Sequence, residues 1–85
     1  MLGFMALADP TRRRIVEMLA TRELRAGEIA RRFDMTAPAV SQHLKLLREA
    51  GLVQVRRDAQ RRIYAIDPAG LAEMDAWLGR FRRLW

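Results

Sequence analysis

The chain opens on a short apolar run, Leu2 to Ala8, in which Leu2, Phe4, Met5 and Leu7 need burial. Asp9-Pro10 follows as a helix start, since the carboxylate caps free amides and proline's fixed φ suits the first helical position. The helix it begins is predicted over Thr11 to about Ala20, with Ile15, Val16 and Leu19 inward. A shorter helix is predicted from about Arg25 to Phe33, where Ala26, Ile29, Ala30 and Phe33 recur at i, i+3, i+4 and i+7. Asp34-Met35-Thr36 separates it from a third helix ending at Gly51. Thr36 is its N-cap, Pro38 lies in its first turn, and Gly51 closes it in a left-handed conformation that needs no Cβ. Val40, Leu44 and Leu47 form the apolar stripe of this helix, while Ser41, Gln42 and Lys45 lie on another side.

After Gly51 the period changes from 3.6 to 2. Leu52 to Arg57 and Arg61 to Ile66 are rich in β-branched residues, and Asp58-Ala59-Gln60 connects them as a hairpin loop. Val53 and Val55 alternate with Gln54 and Arg56, as in a half-buried strand; Ile63, Tyr64 and Ile66 do not alternate, so the second strand's inward face stays open. Asp67-Pro68 repeats the earlier start signal. The last helix then carries Leu71, Met74, Leu78, Phe81 and Trp85 in a heptad-like stripe, broadened by Trp77 and Leu84. That apolar supply exceeds the needs of one domain. The surplus is expected to bury against a second copy or against the N-terminal segment. A membrane-lying helix is the rival, given Arg80, Arg82 and Arg83, but an aromatic heptad stripe favours protein contact.

Composition narrows the function. Eighty-five residues make one small domain, and a 51% hydrophobic content indicates a folded globule. The net charge of +6 comes almost wholly from arginine, with Lys45 the single lysine. Arginine's planar fork suits phosphate and guanine edges, so nucleic acid is the first candidate partner and a membrane surface the second. There is no cysteine, hence no disulfide and no thiolate metal site. One histidine and no clustered carboxylates leave no acid–base pair, so no enzyme, cofactor or metal is expected; Asp9 and Asp67 serve as caps. Leu2 to Ala8 is too short to span a bilayer and lacks the pattern of a secretory signal, which makes the cytoplasm the expected location.

A short helix, a three-residue turn and a second helix with a small polar face is helix-turn-helix geometry, in which the second helix enters the major groove. On this reading the DNA-facing set is Thr36, Ala37, Ser41, Gln42, His43 and Lys45, joined by Arg56, Arg57, Arg61 and Arg62 of the hairpin. Ser41 and Gln42 are expected to read base edges, an amide being suited to adenine, and Thr36, His43, Lys45 and the hairpin arginines to hold phosphates. His43 has helix packing as its other role. The competing account of the hairpin arginines is a solvated turn that discourages strand aggregation. Arg12, Arg13 and Arg14 cannot all point one way on a helix, so at least one is expected to serve an acid or a carbonyl.

Ala6-Leu7-Ala8-Asp9-Pro10-Thr11-Arg12-Arg13 running to Ile15, Ser41-Gln42-His43-Leu44, Ala50-Gly51-Leu52-Val53, and the basic hairpin up to Tyr64 together resemble the ArsR family of bacterial winged-helix repressors. The resemblance covers nearly the whole chain. It implies a mainly α fold with a small β-hairpin, a winged helix-turn-helix in the order α-α-α-α-β-β-α, filling residues 1–85 as one DNA-binding domain. It also implies a homodimer whose terminal helices form the interface, here Leu2, Phe4, Met5, Leu71, Met74, Leu78, Phe81 and Trp85. The partner is then a double-stranded DNA operator, the role repression, and the hairpin from Arg56 to Arg62 the wing. Two departures bear on regulation. Glu23-Leu24-Arg25-Ala26-Gly27 has none of the cysteines by which many relatives sense metal, and the last helix offers Glu73 and Asp75 but no histidine. The sequence therefore resembles a non-metal-sensing branch, with its effector unassigned. The wing also lacks the glycine often found at its tip. A protein-interaction module that keeps the scaffold without reading DNA is the alternative function.

Overall fold

The computed structural model describes residues 2–85. Its order is α1 (Leu2–Ala6), α2 (Pro10–Leu19), β1 (Leu24–Arg25), α3 (Ala26–Phe33), α4 (Ala37–Glu49), β2 (Val53–Asp58), β3 (Arg61–Ile66) and α5 (Pro68–Gly79), followed by a 3₁₀ turn at Arg82–Leu84. Three helices begin where the sequence signals placed them. The side chain of Asp9 accepts from Arg12 N–H at 2.9 Å, Thr36 Oγ1 from Ala39 N–H at 3.3 Å, and Asp67 from Ala69 N–H at 3.0 Å. The fourth, α3, is capped from within: Glu28 accepts the Arg25 N–H at 2.9 Å, which holds its carboxyl below the usual range.

Two features depart from the sequence pattern. β1 joins the hairpin as a third antiparallel strand, pairing Leu24 with Tyr64 and Arg25 with Ile63, so the sheet order is β1-β3-β2. At its other end, α5 stops at Gly79, and the heptad-like spacing does not continue to Trp85 as helix. Phe81 N–H bonds Leu78 O and Leu84 N–H bonds Phe81 O, i→i−3 contacts that tighten the chain beyond the helix.

The core takes Ala6 from α1, Ile15 and Leu19 from α2, Leu24 from β1, Ile29 from α3, Val40, Leu44 and Leu47 from α4, and Leu52, Val53 and Tyr64 from the hairpin region. Tyr64, opposite Val55, settles the inward face of β3, with Arg62 and Ile66 on that side and Ile63 on the other. α5 contributes a single fully buried residue, Gly70. It docks through backbone: Gly70 N–H bonds Gly51 O at 2.9 Å, and Gly51 turns the chain with φ +74°.

All three arginines at the start of α2 are used within the fold. Arg12 Nε donates to Ala6 O at 2.7 Å and Arg13 to Leu7 O at 2.9 Å, closing free carbonyls after α1. The guanidinium of Arg14 lies 4.9 Å from the centre of the Phe33 ring.

Candidate nucleic-acid interface

α3 ends at Asp34, whose left-handed φ of 53° turns the chain sharply; a short polar side chain tolerates that conformation. Met35 and Thr36 complete the turn, and α4 starts at Ala37. Burial of Val40, Leu44 and Leu47 fixes the rotation of α4 on the core. Ala37, Ser41, Gln42 and Lys45 are consequently exposed. Arg48 follows Lys45 on the same stripe and is exposed as well. The sequence reading passed over it, although its spacing from Ser41 and Lys45 marks it.

His43 is the member of the set that is half-buried. Its Nδ1 is buried and lies 4.0 Å from Asp9 Oδ2 at the start of α2, beyond hydrogen-bond length. Nδ1 thus faces the α2–α4 contact, while the half-buried ring as a whole sits at the edge of the face that carries Ser41 and Gln42. Thr36 has its hydroxyl oxygen engaged as the α4 cap.

The hairpin closes tightly. Asp58 pairs with Arg61, which leaves Ala59 and Gln60 as a two-residue loop. Ala59 has φ 59°, the position where a type II′ turn favours glycine. Strand alternation then divides the four wing arginines into two pairs. Val53, Val55 and Arg57 share a face with Arg62, Tyr64 and Ile66, so beyond the core that face continues as Arg57 directly across from Arg62. Neither has an acidic partner within 4 Å among the described residues. Arg56 and Arg61 occupy the opposite face. Arg61 stands across from Asp58, and Arg56 donates to Glu23 Oε1 at 2.6 Å, a contact that raises the pKa of the guanidinium further. Arg56, one of the expected phosphate-holding residues, pairs with the exposed Glu23, and the two line a hollow with Ile63 and Gln54.

The residues expected at a dimer interface lie on α1, on α5 and just after it. Of ten exposed large apolar residues, nine lie on α1, on α5 or just after it. The tenth, Leu46 of α4, borders an apolar groove of about 410 Å³ together with Leu2, Met5 and Ala6. Phe4 packs edge-on to Trp77 at 5.5 Å, and Trp77 lies 4.9 Å from Phe81. Met74 is less open than the others. It is half-buried against the core and so close to Gly3 that a Cβ there would meet its sulfur at 2.7 Å. Trp77, which the stripe ranked second, takes its place on the open face. No helix among the described residues is long and apolar enough to cross a membrane.

Comparison with known proteins agrees with this arrangement. Residues 9–55 match the model of the bacterial regulatory protein, arsR family. The chain is 53% identical over 79 residues to the HTH-type transcriptional regulator Rv2034 of Mycobacterium tuberculosis, covering 93% of this chain and 74% of that one. It is 33% identical to the transcriptional repressor SdpR of Bacillus subtilis, over 92% of this chain and 87% of that protein. Among solved structures it superposes, with a TM-score of 0.78 and 29% identity, on the homodimeric winged helix-turn-helix DNA-binding domain Mb0332 of Mycobacterium bovis, covering 96% of this chain and 76% of that one. The wing that β2 and β3 form, the α3–α4 turn and these matches converge: the chain belongs to the ArsR family of bacterial regulatory proteins, with the winged helix-turn-helix fold.

Proposed function

We propose that the protein is a sequence-specific repressor that binds duplex DNA as a homodimer in the cytoplasm, reading one major groove with each α4 and gripping the flanking backbone with each wing. Residues 1–85 act as one DNA-binding domain, and α1 and α5 carry the contact between copies. The reading is of a regulator and not of an enzyme. The observation that carries it is the Arg57–Arg62 pair. Like charges directly opposed across two strands destabilise a hairpin, and here they stand with no acid to relieve them among the described residues. A phosphate between them removes that repulsion. Ser41 and Gln42 then face base edges, with Lys45 and Arg48 beside them as backbone contacts. Thr36 and Ala37 approach the DNA at the helix start. The printed description of the Mycobacterium bovis neighbour as a homodimeric DNA-binding domain supports the reading, as does the name of the Bacillus subtilis repressor.

Selection of bound sites from random duplex, with the mass of the protein measured in solution, tests it. The expected product is a near-palindrome whose half-sites lie about one helical turn, roughly 34 Å, apart. Gln42→Ala is expected to relax the preference at one base pair per half-site, at a cost of about 1–3 kcal/mol. An unchanged selected sequence would remove Gln42 from the base-reading role.

The wing makes a finer prediction. Arg57→Ala or Arg62→Ala is expected to weaken all sequences alike and to flatten the salt dependence of binding by about one unit per lost phosphate contact. Arg56→Ala, which removes a guanidinium already held by Glu23, is expected to change that slope much less. Equal slopes for Arg56→Ala and Arg57→Ala, measured by titration across salt concentrations, contradict the division of the wing into two faces.

A further inference from the structure

We propose that the apolar groove between α1 and the second half of α4 seats residues 81–85 of a second copy, with Trp85 in the groove and Arg83 against Glu49. The inference rests on the homodimer reading and adds to it a contact outside α5. Leu2 and Met5 of α1 and Leu46 of α4 form the apolar walls, all exposed, and Arg12 and Glu49 are the charged members of the lining. Among the described residues none after Ala50 lines the groove, so the chain's own 81–85 segment does not fill it. That segment is held elsewhere. Arg82 donates to Asp75 Oδ1 at 3.3 Å, and its guanidinium lies 5.5 Å from the centre of the Trp85 ring. Trp85 and Leu84 are left 73% and 71% exposed, the most open of the large apolar residues. An unfilled apolar groove and an uncovered tryptophan on one chain are the two halves of a contact between copies.

Charge favours this occupant. Glu49 has no cationic partner, and Arg83 no acidic one, within 4 Å among the described residues. Arg12 has its Nε bonded to Ala6 O; a guanidinium so held attracts the face of an aromatic ring and repels a second arginine. The 81–85 segment brings both complements, an indole for Arg12 and a guanidinium for Glu49. Charge also sets the direction of pairing. Asp67, Glu73 and Asp75 precede Arg80, Arg82 and Arg83 along α5 and the turn after it. Parallel pairing would set arginines against arginines, whereas antiparallel pairing sets each cationic end beside the acidic start of the other helix. At that start Gly70 rests on Gly51, the neighbour of Ala50 on the groove wall. α1 joins the two regions, with Leu2 and Met5 on the groove and Phe4 against Trp77. The surface between copies therefore runs from α5 across α1 into the groove, and two-fold symmetry makes the contact twice.

Sedimentation over a range of concentrations tests it through the dimer dissociation constant, with helical circular dichroism to show that each variant is folded. Trp85 lies outside the core, and Trp85→Ala is expected to weaken the dimer by about 30-fold, the lower bound for an interface hot spot. Glu49→Arg and Arg83→Glu are each expected to weaken it by about fivefold, the upper end for an exposed ion pair. The Glu49→Arg/Arg83→Glu double variant is expected to regain most of that loss, because the pair is restored with its signs exchanged. The chain has no cysteine, so a Leu46→Cys/Leu84→Cys variant reports which chain fills the groove; oxidation is expected to link two chains. Linkage within single chains would place the segment in its own groove and overturn the proposal. A dimer indifferent to Trp85→Ala, or a double charge variant weaker than either single one, overturns it as well; the homodimer then stands and the groove is open to another molecule. A chain that stays monomeric at every concentration removes the homodimer reading, and this contact with it.

Discussion

Gly70→Ala is expected to lower stability by about 3 kcal/mol, the upper part of the range for forcing an extra carbon into a packed site. For a domain of this size that lowers the melting temperature by roughly 12–24 °C. A Cβ at position 70 would lie 2.5 Å from Gly51 O, 2.7 Å from Gly51 C and 2.9 Å from Leu52 Cδ2. Two of these three atoms are backbone and cannot rotate aside. Retreat of α5 is resisted by the Gly70 N–H bond to Gly51 O and by the Asp67 N–H bond to Leu52 O at 3.0 Å. Gly51 is itself fixed by its positive φ, which an L side chain rarely adopts. Strain at this contact therefore reaches the α4–β2 connection as well as α5. Gly27→Ala provides the control, because a Cβ there meets only the far end of Arg31 at 3.8 Å. A thermal melt in which Gly70→Ala matches Gly27→Ala would show that α5 does not depend on this close approach.

The sequence carried the parts of this fold that rest on local chemistry. Asp9-Pro10, Thr36-Ala37-Pro38 and Asp67-Pro68 place helix starts because cap and proline act within one turn. Apolar spacing in α3 and α4 gave the buried faces for the same reason. What escaped depends on partners distant in the chain. β1 has two residues, too few for an alternation to register, and it is a strand only because β3 lies beside it. Arg56 is 33 positions from Glu23, and no pattern in the hairpin distinguishes it from Arg57. Only the register, which sets Arg57 across from Arg62, separates the two pairs. His43 reads from sequence as either a DNA contact or a packing residue, because the burial of its Nδ1 near Asp9 depends on another helix. The end of α5 was misjudged because the 3–4 spacing of Leu78, Phe81 and Trp85 persists through Gly79, where the helix stops. Met74 is a related case: spacing places it on the stripe, and Gly3 leaves room for it to pack within its own chain as well.

Leu78→Asp is expected to abolish pairing between copies and to weaken operator binding by about 100-fold or more, since a second half-site contact then loses its tether to the first. α5 buries no large side chain of its own, and a helix whose apolar residues stay open is stable when a partner covers them. Leu78 is 39% exposed and lies outside the Phe4–Trp77–Phe81 aromatic cluster. Its replacement therefore removes apolar contact and inserts a charge at the open face, with the core untouched. Trp77 is a poorer probe, because its loss also strips support from Phe4 and Phe81. The unmodified chain is expected to sediment as a dimer at micromolar concentration and Leu78→Asp as a monomer, with helical circular dichroism showing that the variant is still folded. Gln42→Ala should leave the dimer intact while changing base preference, and Leu78→Asp should keep the base preference while losing affinity. A Leu78→Asp protein that remains dimeric and binds its operator undiminished would place the contact between copies somewhere other than α5. The groove beside Leu46 would then be the next apolar surface to probe.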